Sequence, residues 1–582
     1  MLSYSFFRLL RSRLPLLALI AYMPVSMLEA IADAAPPASV SETIADSTLI
    51  SDKAVGAWVG QHLVVAISVD QFSANLFSEY RNRFRLGMKQ LQNGVVYPIA
   101  YHSHAATQTC PGHSVLLTGD HPSRTGIIAN HWYDLSLTRA DKKVYCSEDP
   151  TVAFTDSKNY KVSIQYLKVP TLGDRMKALN PHSRVISIAG KDRAALMMGG
   201  HSIDQAWFWR KDSYVTLPDQ KAPMPASVKI VNEQINTLLQ QDETPIMPSF
   251  CADHALPLEL NNHFIIGKTP VFRKAGDFKT FRSTPDYDRS TTDIAVGLID
   301  ELKLGHGNAP DLLTISLSGT DVIGHKYGTE GAEMCTQMAG LDENIAKIIA
   351  ALDRNGVPYV LMLTADHGGL DTPERANLRG IPTAQRVDAR LTPSIISSKL
   401  ADRFHLDPNR PLLFATSPHG DWYISRDISP AIKTQIIEAA KAEITAYPQV
   451  AAVFTASELN KIAIPTKSPE LWTLAERARG SFDPLRSGDL IVLLKPRVTP
   501  IAKVNGEGEA IATHGSPWNY DRRVPILFYA PNVSGFEQPM PVETVDIMPT
   551  LSALIQLPLK KGEVDGRCLD LDPGKGSTCP TE

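Results

Sequence analysis

Six runs of nearly unbroken apolar residues, many of them β-branched, punctuate this chain: Leu63–Val69, Val185–Ala189, Leu312–Leu317, Tyr359–Thr364, Leu490–Leu494 and Ile526–Tyr529. Continuous rather than alternating apolar character predicts strands that are covered on both faces. Stretches with helical periodicity lie between or after several of them, at Ser290–Leu302, Glu333–Asn355 and Thr544–Ile555. Strand–helix alternation predicts an α/β domain with a mostly parallel central sheet and helices on both faces. In such sheets ligands bind beyond the carboxyl ends of the strands.

Two interruptions do not read as sheet connections. Residues 131–183 are polar and loop-rich, an inserted segment expected near the site. Residues 372–488 carry HGDWYIS, a helix-like Ile432–Ala446 and VAAVFTA, which predicts an inserted α+β lobe capping the site. The main domain is expected over 55–582. Residues 1–34 read differently: Arg8, Arg11 and Arg13 precede an apolar run from Leu14 to Leu28, and small residues follow around Ala32 and Ala34. That order describes a cleavable secretory signal, with an exported mature chain starting near Ala35. Pro24 and the shortness of the run argue against a retained membrane anchor.

Composition changes this picture little. A hydrophobic share of 43% with 21% charged residues is that of a globular chain. A net charge of −4 gives no reason to expect nucleic acid as a partner. The six cysteines suit an oxidising compartment. Cys568 and Cys579 close a short Gly-, Asp- and Pro-rich loop and are expected to pair, whereas Cys110, Cys146, Cys251 and Cys335 leave three pairings open.

The chemistry gathers at strand ends. Asp70 follows VVAISV, Asp321 and His325 follow ISLSGT, Asp366-His367 follow LMLTA, and His514 lies in ATHGSPWNYD. An Asp at a strand end is usually a cap, and an i, i+4 Asp–His pair is common on exposed helices. The conjunction is less ordinary: three Asp and three His divide into two three-ligand sets, and imidazole with carboxylate suits zinc and its neighbours rather than calcium. A hydroxyl, Thr109 in ATQTCPGHS, lies between the first and second pieces, and Pro111-Gly112 suits a turn opening a helix whose N–H groups face a phosphate. Coordination to a dication would favour the threonine alkoxide. Cys110 is a rival nucleophile. His104 and His113 are expected as supporting or packing groups, Arg124 as a structural ion pair, and Trp132, Tyr133 and Trp518 as buried aromatics.

TQTCPGHSVLLTG, GIIANHWYD, GKDR, SGTDVIGH, TADHGG and THGSPWNYDRRVPI together resemble the alkaline phosphatase superfamily, in particular its periplasmic broad-specificity branch with a threonine nucleophile. The resemblance runs from about Leu63 to Ile555. It implies two zinc ions, one held by Asp70, Asp366 and His367 with Thr109 also bound, the other by Asp321, His325 and His514. It assigns Asn130, Lys191 and Arg193 to the phosphoryl oxygens. Physical chemistry agrees, because a monoester brings a dianion and charge-assisted donors are the strong ones. The expected substrates are small phosphate monoesters, hydrolysed through a phosphothreonine. No nucleic acid is expected as a structural partner, no membrane after signal cleavage, and at most weak oligomerisation. The rival reading is a phosphodiesterase or nucleotide pyrophosphatase on the same scaffold. A sulfatase needs C/S-x-P-x-R, which Thr109–His113 does not supply. The reading outside enzymes is a phosphate- or metal-binding protein without turnover.

Overall fold

The computed structural model describes residues 56–152, 156–260, 263–504, 506 and 508–580. The signal expected over residues 1–34 lies outside them. Leu63–Val69 stands within a nine-stranded sheet, parallel to Asp311–Leu317 on one side and to Tyr359–Thr364 on the other. Val185–Ala189 and Gln205–Arg210 continue the parallel order outward. All seven residues of Leu63–Val69 and of Asp311–Leu317 are buried, so side chains pointing either way meet protein. The continuous apolar runs thus report two covered faces.

The other half of the sheet turns antiparallel. Arg523–Tyr529 runs against both Tyr359–Thr364 and Val95–Tyr101, and the short Val542–Glu543 closes that edge. Val95–Tyr101, not among the strands expected above, carries Pro98, a residue interior strands disfavour. The structure tolerates it with a register shift opposite Val524 and Ile526, where the ladder skips the proline.

One run is placed differently from its expectation. Leu490–Leu494 belongs to a separate four-stranded antiparallel sheet, with Leu413–Ala415, Gly420–Ile424 and Val450–Thr455. Its residues are apolar throughout for the same reason as the central strands. Leu490, Val492 and Leu494 face one apolar cluster while Ile491 and Leu493 face another. Helices Pro393–Arg403 and Pro430–Thr445 supply Ile396, Leu400, Ile436 and Ile444 to the first cluster. The lobe therefore extends past residue 488, through a further pairing of Gln385–Arg386 with Val498–Thr499.

The segment 131–183 also divides. His131–Tyr133 and Lys143–Tyr145 form a hairpin, whereas Leu172–Leu179 is a helix that sends Leu172 and Met176 into the main core. Cysteines pair as Cys110–Cys146, Cys251–Cys335 and Cys568–Cys579. The first bond fastens the hairpin to the helix that carries Thr109, and it leaves Cys110 no free thiol for nucleophilic attack.

Candidate active site

Asp70 follows its strand directly, and Asp321 and Asp366 stand close beyond theirs, at one end of three adjacent parallel strands. Adjacent parallel strands bring their carboxyl ends side by side, so residues separated by hundreds of positions meet. His325 follows Asp321 by one helical turn in Gly319–Tyr327, with its Nε2 3.2 Å from Asp321 Oδ1. His514 arrives from the loop before Arg523–Tyr529 and sets its Nε2 3.3 Å from the same oxygen. His367 Nε2 lies 3.3 Å from Asp366 Oδ2 and 3.5 Å from Asp70 Oδ1.

The three imidazoles share one arrangement. Nδ1 donates to a backbone carbonyl in each: His325 to Ala512 at 2.9 Å, His367 to Gly368 at 2.9 Å and His514 to Thr107 at 2.8 Å. A neutral ring whose proton sits on Nδ1 presents a lone pair at Nε2, the atom suited to a metal. Each lone pair here faces a carboxylate oxygen, a pairing that repels unless a cation lies between. Asp70 Oδ1, Asp366 Oδ2 and His367 Nε2 are buried without a hydrogen-bond partner, which buried polar atoms rarely tolerate. The donor set fits transition-metal ions. The tightest groupings of possible ligand atoms are Asp321, His325 and His514, and Asp70, Asp321 and His367. Asp321 thus lies within reach of both positions.

Electrostatics express the same crowding. Burial, then Asp321 and Asp366, push the Asp70 carboxyl well above its usual range. Burial works in the same direction on Asp321, but Lys191 and His325 outweigh it and hold Asp321 well below that range. Burial keeps His367 neutral by pushing it down. Lys191 Nζ bridges the two sets, 2.5 Å from Asp70 Oδ2 and 2.6 Å from Asp321 Oδ2.

Thr109 opens the helix Thr109–Leu116 and is 1% exposed. Gly112, one turn on, lets this helix touch the Asp366 strand end, since a Cβ there would sit 2.0 Å from the Asp366 carbonyl oxygen. Arg193 reaches Thr109 Oγ1 at 3.5 Å and Tyr145 Oη at 3.4 Å. The first-turn N–H groups are less available than the sequence suggested: Cys110 N–H donates to Asn130 Oδ1 at 2.8 Å, and Pro111 has none. Asn130 is thereby fixed by its oxygen, and its amide nitrogen is the donor left to it. His113 directs Nδ1 to the Thr109 carbonyl at 2.9 Å and lies 3.1 Å from Asp366 Oδ2, a supporting position between Thr109 and Asp366. Arg124 pairs with Asp120 and Asp565, and Trp518 donates to the Leu494 carbonyl.

Two contributors escaped the sequence reading. Gln71 adopts φ 68°, rare for a residue with a Cβ. That turn aims its N–H at Asp366 Oδ1 (3.1 Å) and its side-chain amide at Asp321 Oδ1 (3.2 Å). Adjacency to Asp70 was the only available signal. His419, in the quoted HGDWYIS stretch of the lobe, sits beside Gly515, where a Cβ would lie 3.1 Å from its Nε2; φ at Gly515 is +104°. Burial and the neighbouring His514 push His419 down to about 4.

A family model for type I phosphodiesterases and nucleotide pyrophosphatases matches residues 64–517. The chain belongs to that family, within the alkaline phosphatase superfamily. Alkaline phosphatase PhoD of Zymomonas mobilis is 71% identical over 532 residues, covering 91% of this chain and 92% of that protein. Alkaline phosphatase PhoK of a Sphingomonas species is 46% identical over 518 residues, covering 89% and 92%. The crystal structure of wild-type alkaline phosphatase PafA shares the fold, with a TM-score of 0.75 at 24% identity over 88% of this chain and 98% of that one.

Proposed function

We propose that this alkaline phosphatase is a periplasmic, zinc-dependent hydrolase of small phosphate monoesters that acts through a covalent phosphothreonine at Thr109. One observation carries the reading: three carboxylates and three imidazoles cluster with the Lys191 ammonium among them, and Arg193 reaches the Thr109 hydroxyl at 3.5 Å on a helix whose Gly112 packs against the Asp366 carbonyl. Asp321, His325 and His514 would hold one zinc, and Asp70, Asp366 and His367 the other with Thr109. The bound ions supply Lewis-acid stabilisation of the attacking and departing oxygens.

The chain's own residues orient the rest. Arg193 and Asn130 present donors to the phosphoryl oxygens, and Lys191 adds charge where the two ligand sets meet. Arg193 is held firmly protonated: burial opposes its charge, but Tyr145 and Asp192 overcome that. Thr109 Oγ attacks phosphorus in line, and the bond to the leaving oxygen breaks as that oxygen departs as alcohol. Water then attacks phosphorus, cleaves the Thr109 ester and releases inorganic phosphate with the hydroxyl restored. Positioning and charge stabilisation supply the catalysis.

Three disulfides and the N-terminal signal pattern support export. Among the described residues no helix is long and apolar enough to cross a membrane. The matching family model bears a phosphodiesterase name, yet a monoester's second negative charge is what Lys191 and Arg193 suit, and a diester lacks it. The test is hydrolysis of a chromogenic monoester beside the matching diester, zinc-loaded and after chelation. Monoester turnover lost to chelator and restored by zinc is expected. A diester preference would overturn the substrate reading, and zinc binding without turnover would overturn the enzymatic one.

A further inference from the structure

Beyond Arg193 the site opens into a cleft of about 500 Å³ that the phosphoryl chemistry does not use. Arg210, Lys211, Lys279 and Arg282 line it together with Arg193. They come from separate places, the strand Gln205–Arg210, next to the sheet's last strand, with the turn after it, and the short helix Phe278–Phe281 with its C-cap. Among the described residues none of the four is ion-paired. Arg210 donates to the Tyr160 carbonyl at 3.2 Å and stacks over the Tyr160 ring, and Arg282 stacks over Tyr287.

The carboxylate in the wall is Asp192, and it is occupied. It accepts the Tyr145 hydroxyl at 2.6 Å, the Tyr160 hydroxyl at 2.7 Å and the Arg193 N–H at 2.7 Å. Asp212 and Asp277 flank Lys211 and Lys279 in sequence, but Asp277 is spent capping its own helix through Lys279 N–H and Thr280 N–H. Five cations against the single carboxylate of Asp192 leave the cleft wall with an excess of positive charge that begins at the phosphoryl-binding arginine. On the other side of His131, the cavity lined by Gln108, Trp132 and His419 offers about 40 Å³, room for a few waters. A substrate's bulk beyond the reacting phosphate has far more space toward the cations than toward His419.

We propose that this cleft is a second anion subsite, which selects phosphate monoesters carrying a further phosphoryl group several bonds from the scissile one. The inference rests on the monoesterase reading above and deepens it. The second phosphoryl group would sit among Arg210, Lys211, Lys279 and Arg282 while the first meets Thr109 and Arg193. Arg offers bidentate contact and Lys a point charge, so dianionic groups gain most. Because Arg210, Lys211 and Lys279 are exposed, the attraction is screened and the preference fades with salt.

The experiment compares kcat/KM for α,ω-alkanediol bisphosphates of two to six carbons with the alkyl monophosphates of equal length, at low and high ionic strength. Two equivalent phosphates alone give a ratio of about two. The subsite predicts about tenfold or more at one chain length in low salt, a preference of about 1.4 kcal/mol that several exposed charge pairs supply together. In Lys211→Ala/Lys279→Ala the ratio should collapse toward the statistical value, and so should the wild-type ratio in high salt. Monophosphate turnover with no length-dependent bisphosphate preference, or a preference that survives the double substitution, overturns the subsite alone. Turnover of neither series overturns the monoesterase reading itself.

Discussion

The ammonium of Lys191 lies 2.5 Å from the carboxylate of Asp70, at the end of the strand Leu63–Val69. The same ammonium reaches Asp321 at 2.6 Å, so one fixed cation joins carboxylates from both ligand sets. A charge buried this deeply is stable only with such partners. Its removal would leave Asp70 and Asp321 uncompensated and take a cation from beside the phosphoryl group.

Lys191→Ala is therefore expected to lower monoester kcat/KM by about 10²–10³-fold, the range for losing one charge-stabilising donor. Diester hydrolysis should fall less, because a diester brings one negative charge fewer. Parallel kinetics on both substrates check this, and an equal loss on both would refute a role tied to the monoester dianion.

Thr109→Ala removes the group proposed to become phosphorylated. Its kcat should drop by at least roughly 10⁴-fold, as for loss of other nucleophiles that act as a unit with their surroundings. Acid quenching of wild-type turnover followed by peptide mass spectrometry should find one added phosphoryl group on Thr109. Its absence under conditions that trap other phosphoenzymes would count against the covalent route.

Metal removal should also be visible in stability. Without metal ions, Asp321 and Asp366 oppose the Asp70 charge with only Lys191 to offset them, and burial already pushes Asp70 well up. Zinc at about 100 times its dissociation constant adds about 2.7 kcal/mol to any native state that binds it alone. Thermal melts with chelator and with graded zinc should show a rising midpoint, and a midpoint indifferent to zinc would contradict the ligand assignment.

A pH-dependent contribution comes from elsewhere in the domain. His121 is buried between Glu543 at 3.2 Å and Asp565 at 3.0 Å. Burial lowers its proton affinity, but the bonds the ring donates to Asp565 and Glu543 outweigh it and raise the ring to about 10. Since the folded value lies above the unfolded one, its stabilisation is complete below about pH 6.5 and is lost as pH rises through about 10. His121→Asn should cost about 3 kcal/mol near pH 6, the scale for breaking a buried pair. The gap in melting temperature from wild type should close by about pH 10, and a gap constant with pH would rule out the charged pair.

The disulfide Cys110–Cys146 spans 36 residues and ties the His131–Tyr145 hairpin to the Thr109 helix. A loop of that length is worth about 3–4 kcal/mol in the chain-entropy account. Cys110→Ala/Cys146→Ala should lower stability by that order while zinc binding persists, which calorimetry and metal analysis can separate. Loss of stability together with loss of zinc would show that the bond also holds the metal site.

Much of this molecule was legible in its residues. Continuous apolar runs identified most of the central strands, since burial on both faces leaves no polar position in the pattern. Asp70, Asp321, His325, Asp366 and His367 stood out by residue type just beyond apolar strand runs, His514 by residue type alone, since it lies in the loop before Arg523–Tyr529, and Thr109 by its hydroxyl between Asp70 and Asp321. Leu490–Leu494 shows the limit. A strand covered on both faces reads the same whether its cover belongs to the main sheet or to a lobe, and only the clusters packed against it distinguish the two. Val95–Tyr101 carries a proline that a ladder irregularity accommodates. Tertiary structure alone placed Gln71 against Asp321 and Asp366, set Lys191 between two carboxylates, and gathered Arg210 and Lys279 beside Arg193. Sequence determines which groups carry charge or lone pairs and which segments must be buried. Distances between groups far apart in the chain are decided by how the strands order themselves across the sheet, and the site consists of those distances.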